Sequence, residues 1–148
     1  ANAESRRPAR PELEENVMVQ HTTSIFFAPE EIRGQHRLQI LKSGIVQSVS
    51  NKGDVKQILK LSPRVLSDLA TKLENAKPGT LSEPTEPMCM DAPTQSIEIK
   101  KQDGSVFTLW RNSMCRIHES ADIASRKIAS TMDVLYSLKY GIADLSRD

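Results

Sequence analysis

From Ile45 to Ala76 the chain is written as two short strands joined by a tight turn and followed by a helix, and the same grammar returns between Ile97 and Gly141. Ile45 to Ser50 and Val55 to Leu59 flank Asn51-Lys52-Gly53-Asp54, a connection whose glycine supplies the positive φ that a hairpin loop requires. Ser62-Pro63 is a helix start: the hydroxyl caps free N–H groups, and proline stands where its missing donor costs nothing. Val65, Leu66, Leu69, Ala70 and Leu73 recur on one helical face, which predicts a helix from Pro63 to Ala76, stopped by Pro78-Gly79.

In the second unit Ile97 and Ile99 alternate with Glu98 and Lys100, Lys101-Gln102-Asp103-Gly104 turns the chain, and Val106 to Arg111 return. Alternation assigns Val106, Thr108 and Trp110 to one face of the returning strand and Phe107 and Leu109 to the other. A second helix is predicted from Ser120, with Ala121, Ala124, Ile128, Met132 and Leu135 as its apolar stripe and Gly141 as its end. Ahead of both units, Thr22 to Phe27 is rich in strand formers and stops at Pro29, and Leu38 and Ile40 alternate with polar neighbours over His36 to Leu41. The expected fold class is α+β: an antiparallel sheet of about five strands, ordered β-β-β-α-β-β-α, with two helices packed on one face.

A chain of 148 residues suits one domain. Residues 1–20 carry Arg6, Arg7 and Arg10 among Pro8 and Pro11, then Glu12, Glu14 and Glu15, and read as a disordered arm ahead of a domain over 21–148. Residues 77–95 hold Pro78, Pro84, Pro87 and Pro93 without helical or strand period, and read as a long Pro-rich loop. Only 4% of residues are aromatic against 38% hydrophobic, so the core must be built from Leu, Ile, Val and Met.

Twenty basic residues against nineteen acidic leave a net charge of +1, too small for the electrostatic footprint of a nucleic-acid binder. No apolar run approaches the roughly eighteen residues of a membrane span. The six glycines fall singly at turns and helix ends, so there is no phosphate-cradling loop and no cofactor is expected. Ala1-Asn2-Ala3 resembles the small-x-small tract left by signal peptidase, as well as a cloning scar.

Cys89 and Cys115 bracket the second hairpin. If that hairpin pairs about Asp103-Gly104, both sulfurs lie beyond its open end, and a disulfide between them would stabilise the fold by about 3 to 4 kcal/mol through restriction of the unfolded chain. An even count without a CxxC motif suits a periplasmic or extracellular disulfide. The competing reading is metal: Cys115 and His118 are three apart, the spacing of neighbours on a helical turn, and Cys89 with His21 or His36 would complete four ligands.

Two functions of different class follow. The first is a non-enzymatic secreted or periplasmic module that binds another protein, inhibitor-like or an envelope accessory. Its contact segment would be the loop carrying Thr80, Glu83, Glu86, Met88, Met90 and Asp91, anchored by the disulfide, with Trp110 as a further anchor. The second is a small hydrolase-like or metal-dependent enzyme centred on Cys115, His118, Asp91 and Glu119. A Gly-x-Ser-x-Gly elbow is absent.

Overall fold

The structure is a computed structural model, and it describes residues 13–76, 93–113, 116–119 and 128. The order is β1 (Val17–Ile25), β2 (Gly34–Leu41), β3 (Ile45–Val49), β4 (Val55–Lys60), α1 (Pro63–Asn75), β5 (Thr94–Lys100), β6 (Val106–Ser113) and β7 (Arg116–Glu119). All seven strands form one antiparallel sheet in the spatial order β4-β3-β2-β1-β5-β6-β7, so β1 is central and joins the two hairpin units. The class is α+β, as the pattern predicted, but with seven strands instead of about five and with one helix, α1, complete among the described residues.

α1 forms where Ser62-Pro63 predicts it. Ser62 Oγ accepts from the N–H of Val65 at 3.3 Å, Pro63 opens the helix, and the N–H of Ala76 closes it on Leu73 O and Lys72 O. Its inner face buries Leu69 and Leu73, each worth about 1.5–3 kcal/mol when removed from water. The helix lies across one end of the sheet: an added Cβ on Gly44, in the β2–β3 turn, would stand 3.3 Å from Leu66 Cδ2, while Glu74 Oε2 accepts from the N–H of Gln102 in the β5–β6 turn.

Adjacent residues along the strands make two rungs of opposite character. Leu59, Val46, Ile40, Val19, Ile99 and Phe107 are successive cross-strand partners, and all belong to the core or pack against it. One residue along, or two in β4 where a bulge intervenes, Gln57, Gln47, Gln39, Gln20, Glu98 and Thr108 make the neighbouring rung on the other face. Between these rungs the period of two that predicted the strands holds in five of them, and the bulge in β4 brings the sixth into the same register.

Three local expectations change. The first strand starts at Val17 instead of Thr22, because Val17, Met18 and Val19 are buried and a bulge between Val17 and Val19 lets the chain keep its pairing; the reading of 1–20 as an arm averaged these apolar residues with charged neighbours. Phe26 and Phe27, expected to end that strand, lie beyond it. In β6 a bulge at the Ile97/Glu98 step sets Ile99 opposite Phe107 and Ile97 opposite Trp110, so Phe107 and Trp110, assigned to opposite faces by simple alternation, take equivalent rungs.

Residues 116–119, expected to lead into the second helix, form β7 against β6. Of that helix only Ile128 is among the described residues; it is helical and fully buried in the core. The remainder of the predicted stripe lies outside them.

Candidate interaction surface

Every exposed large hydrophobic residue among those described lies at one end of the sheet, where β1 leaves, β2 enters and β3 turns into β4: Phe26 is 59% exposed, Phe27 70%, Ile32 48% and Val55 61%. Such a concentration marks contact surfaces more often than isolated exposed side chains do.

The loop presenting three of them, 26–33, is held from several sides. Arg33 donates through Nε and Nη2 to Ala28 O at 3.1 and 3.0 Å, and the N–H groups of Ile32 and Arg33 both reach Pro29 O. His36 Nε2 donates to Ile32 O at 2.7 Å. From the neighbouring hairpin, Asn51 Nδ2 donates to Glu31 O at 3.0 Å and to Arg33 O at 2.8 Å. That hairpin is itself fixed by Gly53 at φ +87°, by Ser50 N–H to Asp54 O, and by Ser50 Oγ, which accepts from the N–H groups of Lys52 and Asp54. The aromatic pair therefore stands on a braced loop, and bracing lowers the ordering entropy lost when such a surface docks.

Charge is divided across this end. Glu30 and Glu31 are exposed on the loop; Lys52, Asp54 and Lys56 are exposed on the hairpin. Arg33 is exposed as well and, though its guanidinium donates to Ala28 O, it adds one positive charge to the loop.

The polar rung forms a second feature. Gln47 Nε2 donates to Gln39 Oε1 at 2.9 Å, and Gln39 Nε2 donates to Gln20 Oε1 at 2.8 Å. Gln20 is the cross-strand partner of Glu98, whose carboxyl is pushed up from its ordinary range by burial, opposed by a hydrogen bond from Ser96. Glu98 Oε2 and, on the same face, Arg37 Nε are buried without hydrogen-bond partners. These residues fix register and leave a strained electrostatic spot; they do not assemble a nucleophile beside a base.

At the opposite end of the sheet a cleft of about 250 Å³ is floored by Met18 and Leu73 and rimmed by Lys42, Lys100 and Lys101. Two of its cations are committed: Lys100 Nζ donates to Leu13 O and Glu14 O, both at 2.9 Å, and Lys101 Nζ sits 5.6 Å from the Phe107 ring centroid.

The sequence-derived site residues fare unevenly. Cys89 and Cys115 lie outside the described residues, as do Thr80, Glu83, Glu86, Met88, Met90 and Asp91. Trp110 pairs with Ile97 on one side and Glu119 on the other, in mid-sheet. His118 is in β7 opposite Arg111, where the sequence pattern placed a helical turn, and Cys115, the residue paired with it in the metal reading, lies outside the described residues. His21 is buried at the rung of Leu38 and Ile97, and His36 braces the 26–33 loop. Among the described residues no three His, Cys, Asp or Glu side chains gather as a metal site, and no described helix is long and apolar enough to cross a membrane.

The sequence pattern stops the strand at Pro29 but keeps Phe26-Phe27 inside it, because they extend a strand-forming run; pairing ends at Ile25 and leaves the aromatics without a partner strand. Comparisons with protein-family models, with curated proteins and with solved structures find no match to this chain.

Proposed function

We propose that the chain is a non-enzymatic protein-binding module of the periplasm or the extracellular space, inhibitor-like or an envelope accessory, which docks another protein through the sheet end carrying Phe26 and Phe27. The observation that carries this reading is the aromatic pair, 59% and 70% exposed on a loop braced by Arg33, His36 and Asn51. Large aromatics held ready in water lose little on docking and gain the burial of about 150–250 Å² each.

The Pro-rich segment favoured by the sequence belongs to the same reading. Its C-terminal end runs into β5, where Thr94 pairs with Ser24, two residues before Phe26. Thr80, Glu83, Glu86, Met88, Met90 and Asp91 are accordingly proposed as a second contact stretch, with Trp110 as an anchor. The assignment of compartment rests on a disulfide between Cys89 and Cys115; intact-mass measurement before and after reduction should show a gain of two hydrogens.

The test is capture of a partner from an envelope or culture-fluid extract, repeated with purified partner and with the variant Phe26→Ser/Phe27→Ser. Binding should fall by about 30-fold or more, the loss of one or two hot spots. Unchanged affinity would end the assignment of this surface.

A further inference from the structure

Resting on the docking reading of this sheet end, we infer that the partner it fits is a second copy of this chain, joined across a two-fold axis. An isologous interface brings one patch onto itself, so it must be complementary to itself in both shape and charge. This end of the sheet meets the electrostatic half of that condition. The 26–33 loop contributes Glu30 and Glu31 with one offsetting Arg33, and the hairpin braced against it through Asn51 contributes Lys52 and Lys56 with one offsetting Asp54, so the two carry opposite net charge.

A two-fold rotation about the apolar residues between them turns the acidic loop of one copy toward the basic hairpin of the other, and the reverse contact comes with it. Phe26, Phe27, Ile32 and Val55 supply the desolvated centre, and the charges form the rim. A net charge of +1 leaves little long-range repulsion between copies. The edge strand β4 takes no part by strand addition, since Lys56, Lys60 and the bulge at the Val46/Gln47 step guard it against pairing.

Sedimentation velocity over a concentration series tests this. The wild type should pass from one to two chain masses, and Phe26→Ser/Phe27→Ser should raise the dissociation constant by about 30-fold or more while keeping the wild-type circular dichroism spectrum. Charge reversal discriminates further. Glu30→Lys/Glu31→Lys alone and Lys52→Glu/Lys56→Glu alone should each weaken self-association by about tenfold, and an equimolar mixture of the two should restore it, because both rim contacts are then of opposite sign.

A wild type that stays at one chain mass up to about 1 mM, the weak limit of a specific contact, would overturn the inference, as would a dimer indifferent to these substitutions. The docking reading is tested separately: if the chain is monomeric yet the serine variant loses a different protein partner, the surface stands and the second copy does not, whereas unchanged partner affinity ends the docking reading itself.

Discussion

Gln39 Nε2 donates to Gln20 Oε1 at 2.8 Å from a side chain only 1% exposed, and Gln47 donates in turn to Gln39. The three amides point the same way across three adjacent strands, so a slip of one residue would replace a satisfied polar rung with the apolar one beside it. Gln39→Ala removes an acceptor and a donor at once and should destabilise the fold by about 2–3 kcal/mol in urea denaturation. A double-mutant cycle with Gln47→Ala should return a coupling of about 0.5–1.5 kcal/mol, since the two share one bond. Additive losses would mean that the row contributes nothing beyond packing.

At the end of that row, burial holds the Glu98 carboxyl above the ordinary value of 4.5. A carboxyl whose folded pKa is raised binds its proton more tightly in the native state, so stability falls as pH rises from 4.5 through the folded value and stays low above it. Glu98→Gln should therefore raise the melting temperature at pH 7, and the gain should shrink as pH is lowered toward 4.5. Thermal melts across that range read the sign directly; a variant less stable than wild type at pH 7 would mean that the carboxylate is held by a favourable partner.

The contrast between what the sequence made legible and what it did not follows the range of the interactions involved. α1 was readable from Ser62-Pro63 and its stripe, and the hairpins from Gly53 and Gly104, because caps and turns act within a few residues. The amide row was not, since Gln20, Gln39, Gln47 and Gln57 become neighbours only once four strands have taken their register. The bulge in β6 is of the same kind: nothing local at Leu109 announces that alternation breaks there, and the assignment of Trp110 shifted with it. Phe26 and Phe27 were legible as strand formers, but their exposure depends on β2 entering at Gly34 opposite Ile25 and leaving them unpaired.

Two turn glycines allow backbone strain to be separated from crowding. Gly44 and Gly53 have φ of +93° and +87°, but a Cβ on Gly44 would meet Leu66 Cδ2 at 3.3 Å and Leu61 O at 3.4 Å, while one on Gly53 meets nothing within 4 Å. Gly53→Ala should cost only the left-handed conformation, about 1–2 kcal/mol. Gly44→Ala adds displacement of the first turns of α1 and should cost about 1 kcal/mol more. Equal losses in chemical denaturation would imply that Leu66 yields freely.

Asn51 links the hairpin to the loop that carries the aromatic pair through its two bonds to Glu31 O and Arg33 O. Asn51→Ala removes both donors but touches neither phenylalanine, so it separates loop order from contact chemistry. Global stability should fall by about 1–2 kcal/mol, the net worth of two hydrogen bonds. Hydrogen exchange should rise at the N–H groups of Ile32 and Arg33, which close on Pro29 O in the braced loop, and stay near wild type at Gly104, whose N–H closes the distant β5–β6 turn on Lys101 O. If docking uses a pre-ordered loop, the same variant should weaken binding through slower association, because a mobile loop reaches its bound form in only a fraction of encounters. Faster exchange at 32–33 with unaltered binding would show that the phenylalanines act without the brace.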